Sequence, residues 1–298
     1  MKNGGEPQNK CEKKILKPSK NLSCSNFINL EEKLYYKFKK TQPMKKTLQI
    51  ANGFFLVFTI VFNYLSNTGI FNGKTIGNVS DEYDNLFTPA GYAFSIWGII
   101  YLLMLGFVIY TGRSLFKPEN DDSDELVEKI GWWFVISCIA NCGWIVTWLY
   151  GYTGISVLVL VVSIISLLMI LLEALKYNNG IAERWFIRIP FQIYAGWVSV
   201  ALIAATAAWL TKMEWTRFGI SEVNWTLILI IIASVIHLFM TWKKNAPVFA
   251  LVAVWALIAI AVANKEISSE IYISALAAAG ILFFSSMVKI LVKRVEVN

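Results

Sequence analysis

Charge is scarce in this chain: Asp, Glu, Lys and Arg make up only 16% of its 298 residues, where soluble domains carry about 25%. Hydrophobic residues make up 56%, and the mean hydropathy is +0.55. This composition describes a membrane protein and leaves no room for a large soluble catalytic domain. Histidine is nearly absent, His237 being the only one. Cys138 and Cys142 stand one helical turn apart, but zinc wants four ligands and no other donor lies nearby in sequence. P-loop, dinucleotide, zinc-protease and nucleophile-elbow fingerprints are also missing. A protein with no enzymatic activity, no metal and no cofactor is therefore expected. Ionisable residues inside the apolar runs, which would mark ion paths, reduce to Glu173 near a segment end and His237 beside Trp242. His237 reads as a packing or interfacial residue before a proton carrier, which disfavours an ion-coupled pump. The four cysteines lie in a charged tail (Cys11, Cys24) or an apolar run (Cys138, Cys142) and are read as reduced. No apolar stretch precedes Asn21-Leu22-Ser23-Cys24, so it is not read as a lipidation site.

What charge there is sits unevenly. Residues 1–47 hold 12 of the 27 basic residues and 4 of the 20 acidic ones, making a tail of +8 before a body of −1. A basic segment beside a neutral hydrophobic body suits an anionic leaflet and argues against nucleic acid as a partner. The tail, 1–47, is expected to be disordered and cytoplasmic. Met44-Lys45-Lys46, just before the first apolar run, is a second candidate start. Eight apolar segments follow, at about 48–65, 89–111, 130–150, 153–175, 189–211, 223–241, 247–263 and 271–289. The fold class is thus all-α, a polytopic bundle of about eight transmembrane helices. Only Gly151-Tyr152 separates the third and fourth segments, which must form an antiparallel hairpin. Eight crossings place 23 basic residues with the termini and leave Lys74, Lys212, Arg217 and Lys265 on the other face. By the positive-inside rule both termini are cytoplasmic, in an inner (plasma) membrane of bacterial type.

Tryptophan is abundant: 12 in all, eight of them between Trp97 and Trp209. Trp132, Trp133, Trp185, Trp215, Trp225 and Trp242 fall at segment ends, as an interfacial belt would have them. The mid-segment ones fall into stripes. Trp133, Ser137, Asn141, Trp144 and Trp148 recur every three or four residues, so they share one helical face. Phe94, Trp97 and Tyr101 do the same on the second segment, and Pro190, Tyr194, Trp197, Ala201, Ala204 and Ala208 on the fifth. An indole N–H in hydrocarbon needs a partner, and Asn141 is the natural acceptor. Such faces commonly do no more than pack helices together. The other reading is a flat apolar pocket with a few polar anchors. Val108-Ile109-Tyr110-Thr111-Gly112-Arg113 fits the loose cholesterol pattern, which is common by chance.

Three blocks, Thr88-Pro89-Ala90-Gly91-Tyr92-Ala93-Phe94-Ser95-Ile96-Trp97-Gly98, Asn141-Cys142-Gly143-Trp144 and Ala195-Gly196-Trp197-Val198-Ser199-Val200-Ala201, resemble the tryptophan-rich sensory protein (TspO/MBR, translocator protein) family in order and spacing. The family has Pro then Trp eight residues on, Asn-x-x-Trp, and Trp with a second Trp twelve residues on. Pro89 to Trp97 and Trp197 to Trp209 keep those spacings. The resemblance covers about 48–211 and implies a five-helix unit with an intramembrane pocket for porphyrins, other tetrapyrroles or sterol-like molecules. It puts Trp97, Asn141, Trp144 and Trp197 on that pocket, and the stripes add Tyr101, Trp148 and Tyr194. Departures are Thr88 for one of a proline pair, Gly91 for an aromatic and Ser95 for a proline, so the rim should be reshaped. No Tyr precedes Lys212, which favours a tetrapyrrole over cholesterol. Residues 212–298 form three additional helices whose Ala and Ser faces suit close packing, over a neighbour or over the face a homo-oligomer would use. Sensing or transport of a planar hydrophobic molecule is the expectation, with membrane lipids as further partners. An eight-helix secondary transporter of an unrelated molecule is the alternative, although no internal repeat supports it. Light- or oxygen-dependent ligand breakdown is a third reading.

Overall fold

In hydrocarbon a backbone can satisfy its polar groups only internally, so an apolar run of bilayer length becomes a helix. The computed structural model describes residues 24–116, 122–177 and 180–295. Its elements are α1 (Cys24–Ser66), α2 (Ile76–Glu82), α3 (Ile96–Gly112), α4 (Asp122–Ile130), α5 (Trp133–Leu149) and α6 (Thr153–Ala174). There follow α7 (Ile181–Glu183), α8 (Ile189–Lys212), α9 (Glu222–Lys243), α10 (Pro247–Asn264) and α11 (Ser269–Val295). No strand occurs among the described residues. A 3-10 turn, Gly91–Ser95, leads into α3, and a π turn, Arg184–Arg188, leads into α8.

The chain divides into two units, Met1–Met44 and Lys45–Asn298. Of the tail expected to be disordered, residues 1–23 lie outside the described residues, and from Cys24 the backbone is helical. Among the described residues, seven stretches are long and apolar enough to cross a membrane: Met44–Ser66, Gly91–Leu115, Thr153–Ala174, Ile181–Lys212, Glu222–Lys243, Pro247–Asn264 and Ser269–Val292. The eighth apolar helix, α5, has 17 residues, roughly 26 Å at 1.5 Å per residue, just under a hydrocarbon core of about 30 Å. The eight expected segments are therefore eight helices.

The α5–α6 hairpin turns on Gly151, whose φ of 72° suits glycine, and Tyr152 N closes it on Thr147 O at 2.8 Å. Thr75 and Asn78 form a capping box that starts α2 in the loop after α1. Pro190 and Pro247 sit in the first turns of α8 and α10, where a missing N–H costs nothing. On α4, Leu126, Val127 and Ile130 are buried, while Glu125 and Lys129 form an ion pair at 2.7 Å in solvent.

Helix α8 runs through the centre, packed on α6 and on α10, and α10 in turn packs on α11. Its approach to α10 needs Gly196: a Cβ there would stand 2.8 Å from Phe249 O and 3.2 Å from Val252 Cβ. Beside that crossing, His237 is fully buried. Its Nδ1 lies 2.7 Å from Ala233 O, its Nε2 3.3 Å from Ser199 Oγ, and its ring packs on Phe249. The lone histidine is thus built into the packing of α8, α9 and α10. Towards the ends of α3 and α5 nearer α4, Phe107, Phe134 and Phe191 close the core with centroids 4.8–6.1 Å apart.

Candidate functional site: an aromatic cluster between α3, α5 and α8

Every third or fourth residue of the central helices brings an aromatic ring to the same place. Trp97 of α3 is the hub. Its ring centroid lies 5.6 Å from Tyr101, 5.7 Å from Trp144 of α5, and 5.9 and 6.4 Å from Tyr194 and Trp197 of α8. Trp148 extends the cluster from Trp144 at 6.4 Å, and Phe94 meets Trp197 at 6.2 Å. Asn141 joins through Tyr101, whose hydroxyl donates to Asn141 Oδ1 at 3.3 Å. All seven residues singled out from the sequence therefore form one contiguous buried group. Each ring pair at such distances contributes about 0.5–1.5 kcal/mol beyond area burial.

The polar atoms of the cluster are arranged otherwise than the sequence suggested. Asn141 accepts from the Tyr101 phenol of the facing helix and not from an indole. The indole N–H groups of Trp97, Trp144 and Trp197 are buried and have no hydrogen-bond partner. Trp148 differs, since its Nε1 donates to Ile76 O at 3.1 Å and ties α2 to α5. Buried donors without partners are rare, and each costs about 1–3 kcal/mol. Three in one cluster, two of them on a ring touching the third, amount to a concentrated demand for acceptor atoms.

The loop between α1 and α3 is held from two sides. Its first half is tied to the α5–α6 turn: Asn72 Nδ2 donates to Leu149 O at 3.0 Å, and Tyr83 packs on Trp148. Its second half is tied to α9 and α10. Leu86 N donates to Glu222 Oε1 at 3.2 Å, Asn264 Nδ2 to Leu86 O at 3.0 Å, Ala90 N to Ala259 O at 3.1 Å, and Trp255 Nε1 to Ala93 O at 3.1 Å. Tyr92 also packs on Trp255 at 5.3 Å. Trp255 escaped the sequence reading, although the argument applied to the other mid-segment indoles, that each needs a partner, holds for it too. Position 95, where a proline was expected from the resemblance, is a serine at the end of the 3-10 turn entering α3.

Cys138 and Cys142 are buried free thiols on another face of α5, where both meet Thr59 of α1. Among the described residues no group of three or more His, Cys, Asp or Glu side chains could hold a metal ion.

A polytopic helical membrane protein whose central helices enclose a tryptophan cluster defines the class. A family model described as TSPO-like protein matches residues 49–288, most of the chain, so the protein belongs to the TSPO-like family. The match runs through α9, α10 and most of α11, beyond the five-helix stretch that carries the motifs. No curated protein and no solved structure matches the chain.

Proposed function

We propose that this protein binds a planar hydrophobic molecule of the tetrapyrrole class between α3, α5 and α8, without acting as an enzyme, and so senses or carries it. The observation that supports this reading is the convergence of three buried, unpartnered indole N–H donors, on Trp97, Trp144 and Trp197, in one aromatic cluster. A cluster that served packing alone would have no use for N–H groups at those positions, where each unpartnered donor costs about 1–3 kcal/mol. A flat ring system with acceptor atoms would stack on the indoles and take up the donors. The rings now rest on one another, so the ligand enters by parting them, as a wedge does a closed book. The held loop between α1 and α3 then forms the cover of the site, with α10 as its support.

Charge distribution supports an inner membrane of bacterial type with both termini in the cytoplasm, which places that loop on the opposite side. The test is titration of protoporphyrin IX into detergent-purified protein, following tryptophan quenching and the porphyrin Soret band. Saturable micromolar binding is expected, with at least a tenfold loss in the Trp97→Ala, Trp197→Ala double variant. Equal binding by that variant would reduce the cluster to helix packing. A fall in porphyrin absorbance with turnover would replace binding by catalysis.

A further inference from the structure

The seven residues of the aromatic cluster include no charged side chain, and towards α4 the core is closed by Phe107, Phe134 and Phe191. An acid group on a bound molecule has to stay at the opposite end, by the loop between α1 and α3, because a lone carboxylate in an apolar interior is costly. At that end the rings continue outward. Trp148 is buried, and the half-buried Tyr83 meets it edge-on with centroids 6.4 Å apart. The ammonium of Lys212, in the last turn of α8, lies 5.4 Å from the centroid of the Tyr83 ring and is exposed. We infer that Lys212 anchors a carboxylate on the edge of the ligand, so that the site selects planar molecules carrying an acid group over their neutral counterparts. This rests on the ligand site proposed above.

The charge pairing singles out this lysine. Of the four basic residues that the charge distribution assigns to this face, three stand beside a carboxylate. Lys74 Nζ is 2.7 Å from Glu82 Oε1, Arg217 Nη2 is 3.9 Å from Glu222 Oε2, and Lys265 Nζ is 4.0 Å from Glu266 Oε1. Among the described residues no carboxylate comes within 4.0 Å of Lys212 Nζ, although Asp81 and Asp84 flank Tyr83 and Glu214 follows two residues on. Lys212 Nζ donates instead to Gly151 O, at 2.6 Å. That bond uses one of three N–H donors, and a carbonyl brings no net charge to offset the ammonium. The carbonyl and the face of Tyr83 also hold the ammonium in place, so less side-chain freedom is lost when an anion arrives. Buried indoles, a half-buried phenol and an exposed cation thus follow one another from the cluster to solvent, the order of polarity along a flat apolar ring with an acid group at its rim.

The test compares protoporphyrin IX, a carboxylic acid, with its neutral dimethyl ester, each titrated into the full-length protein in detergent. Lys212→Gln should weaken the acid about fivefold, as loss of an exposed ion pair allows, and leave the affinity for the ester unchanged. Lys265→Gln removes the same charge from the same face and should alter neither. As a measurement that needs no variant, high salt should weaken binding of the acid to wild type and spare the ester. A lysine that served only to tie the α5–α6 turn and offset the α8 dipole would, when replaced, lower both affinities together or neither. Either result would overturn the anchor and leave the pocket standing. An equal loss of the acid in Lys265→Gln, or binding of the acid indifferent to salt, would overturn it as well. If neither porphyrin binds wild type, the pocket itself falls and the anchor with it.

Discussion

Asn52 shows how a single residue can be costly in a membrane and still be present. It is 1% exposed, and neither its Nδ2 nor its Oδ1 has a partner. Removing an unsatisfied buried amide should release its desolvation penalty. Asn52→Leu is therefore expected to stabilise the bundle by about 1–3 kcal/mol, seen as a higher unfolding temperature in detergent; a lower one would mean that the amide is solvated or bonded in the membrane. Asn141 is the opposite case, because its carbonyl takes the Tyr101 hydroxyl. Asn141→Leu leaves that phenol unpaired and should cost about 1–3 kcal/mol, and Tyr101→Phe in the same chain should recover part of it. Trp255 holds the loop between α1 and α3 from outside the cluster. Trp255→Phe keeps the ring against Tyr92 but loses the bond to Ala93 O. It should raise the porphyrin dissociation rate severalfold while leaving the absorbance maximum of the bound form unchanged.

Among elements, α8 and α10 approach closely at Gly196, and this crossing joins the motif-bearing helices to the three that follow. A methyl group there would be forced to 2.8 Å from a main-chain oxygen, which cannot turn aside as a side chain could. Gly196→Ala should thus cost about 1–3 kcal/mol, the usual range for overpacking. Because the same contact carries α10 to the loop between α1 and α3, it should also weaken the proposed porphyrin binding, although Gly196 itself belongs to no ring pair. Thermal melts and titrations on one preparation would show both effects moving together. Loss of stability with unchanged affinity would separate the crossing from the site. The α5–α6 hairpin gives a second, local case. Gly151 has a positive φ, and a Cβ would lie 3.1 Å from Tyr83 Oη, so any side chain there strains the turn and pushes the loop.

At the level of the whole molecule, the eight apolar helices among the described residues and the basic N-terminal segment lead to a testable insertion topology. The loops that carry Asp81 and Glu266 should lie on one side, and Cys11 and Cys24 on the other. Asp81→Cys and Glu266→Cys, each in a background lacking Cys11 and Cys24, should react with an impermeant maleimide added outside intact cells. The unsubstituted chain, which carries Cys11 and Cys24 in its tail, should react only after permeabilisation. The buried thiols Cys138 and Cys142 should stay unlabelled in both. Labelling of the tail from outside would invert the topology and put the loop between α1 and α3 in the cytoplasm.

Helix number and position were legible in the primary structure because the bilayer imposes one rule everywhere: apolar runs of a set length, flanked by charge. The aromatic stripes were legible for a similar reason, since a period of three to four residues already fixes which side chains share a face. The three residues added on that basis, Tyr101, Trp148 and Tyr194, meet the four that the family resemblance pointed to in one cluster. What lay beyond such local rules was which groups on different helices would touch. Periodicity could not tell that Tyr101 would take the acceptor Asn141 that an indole was expected to use. Nor could it tell that Trp255, Asn264 and Glu222, far along the chain, would hold the loop at Leu86–Ala93. Those contacts depend on how closely helices approach, which is set by small residues such as Gly196 acting across more than 50 residues of sequence. The folded bundle left three indole donors unpartnered, and that feature, which no single segment encodes, carries the functional reading.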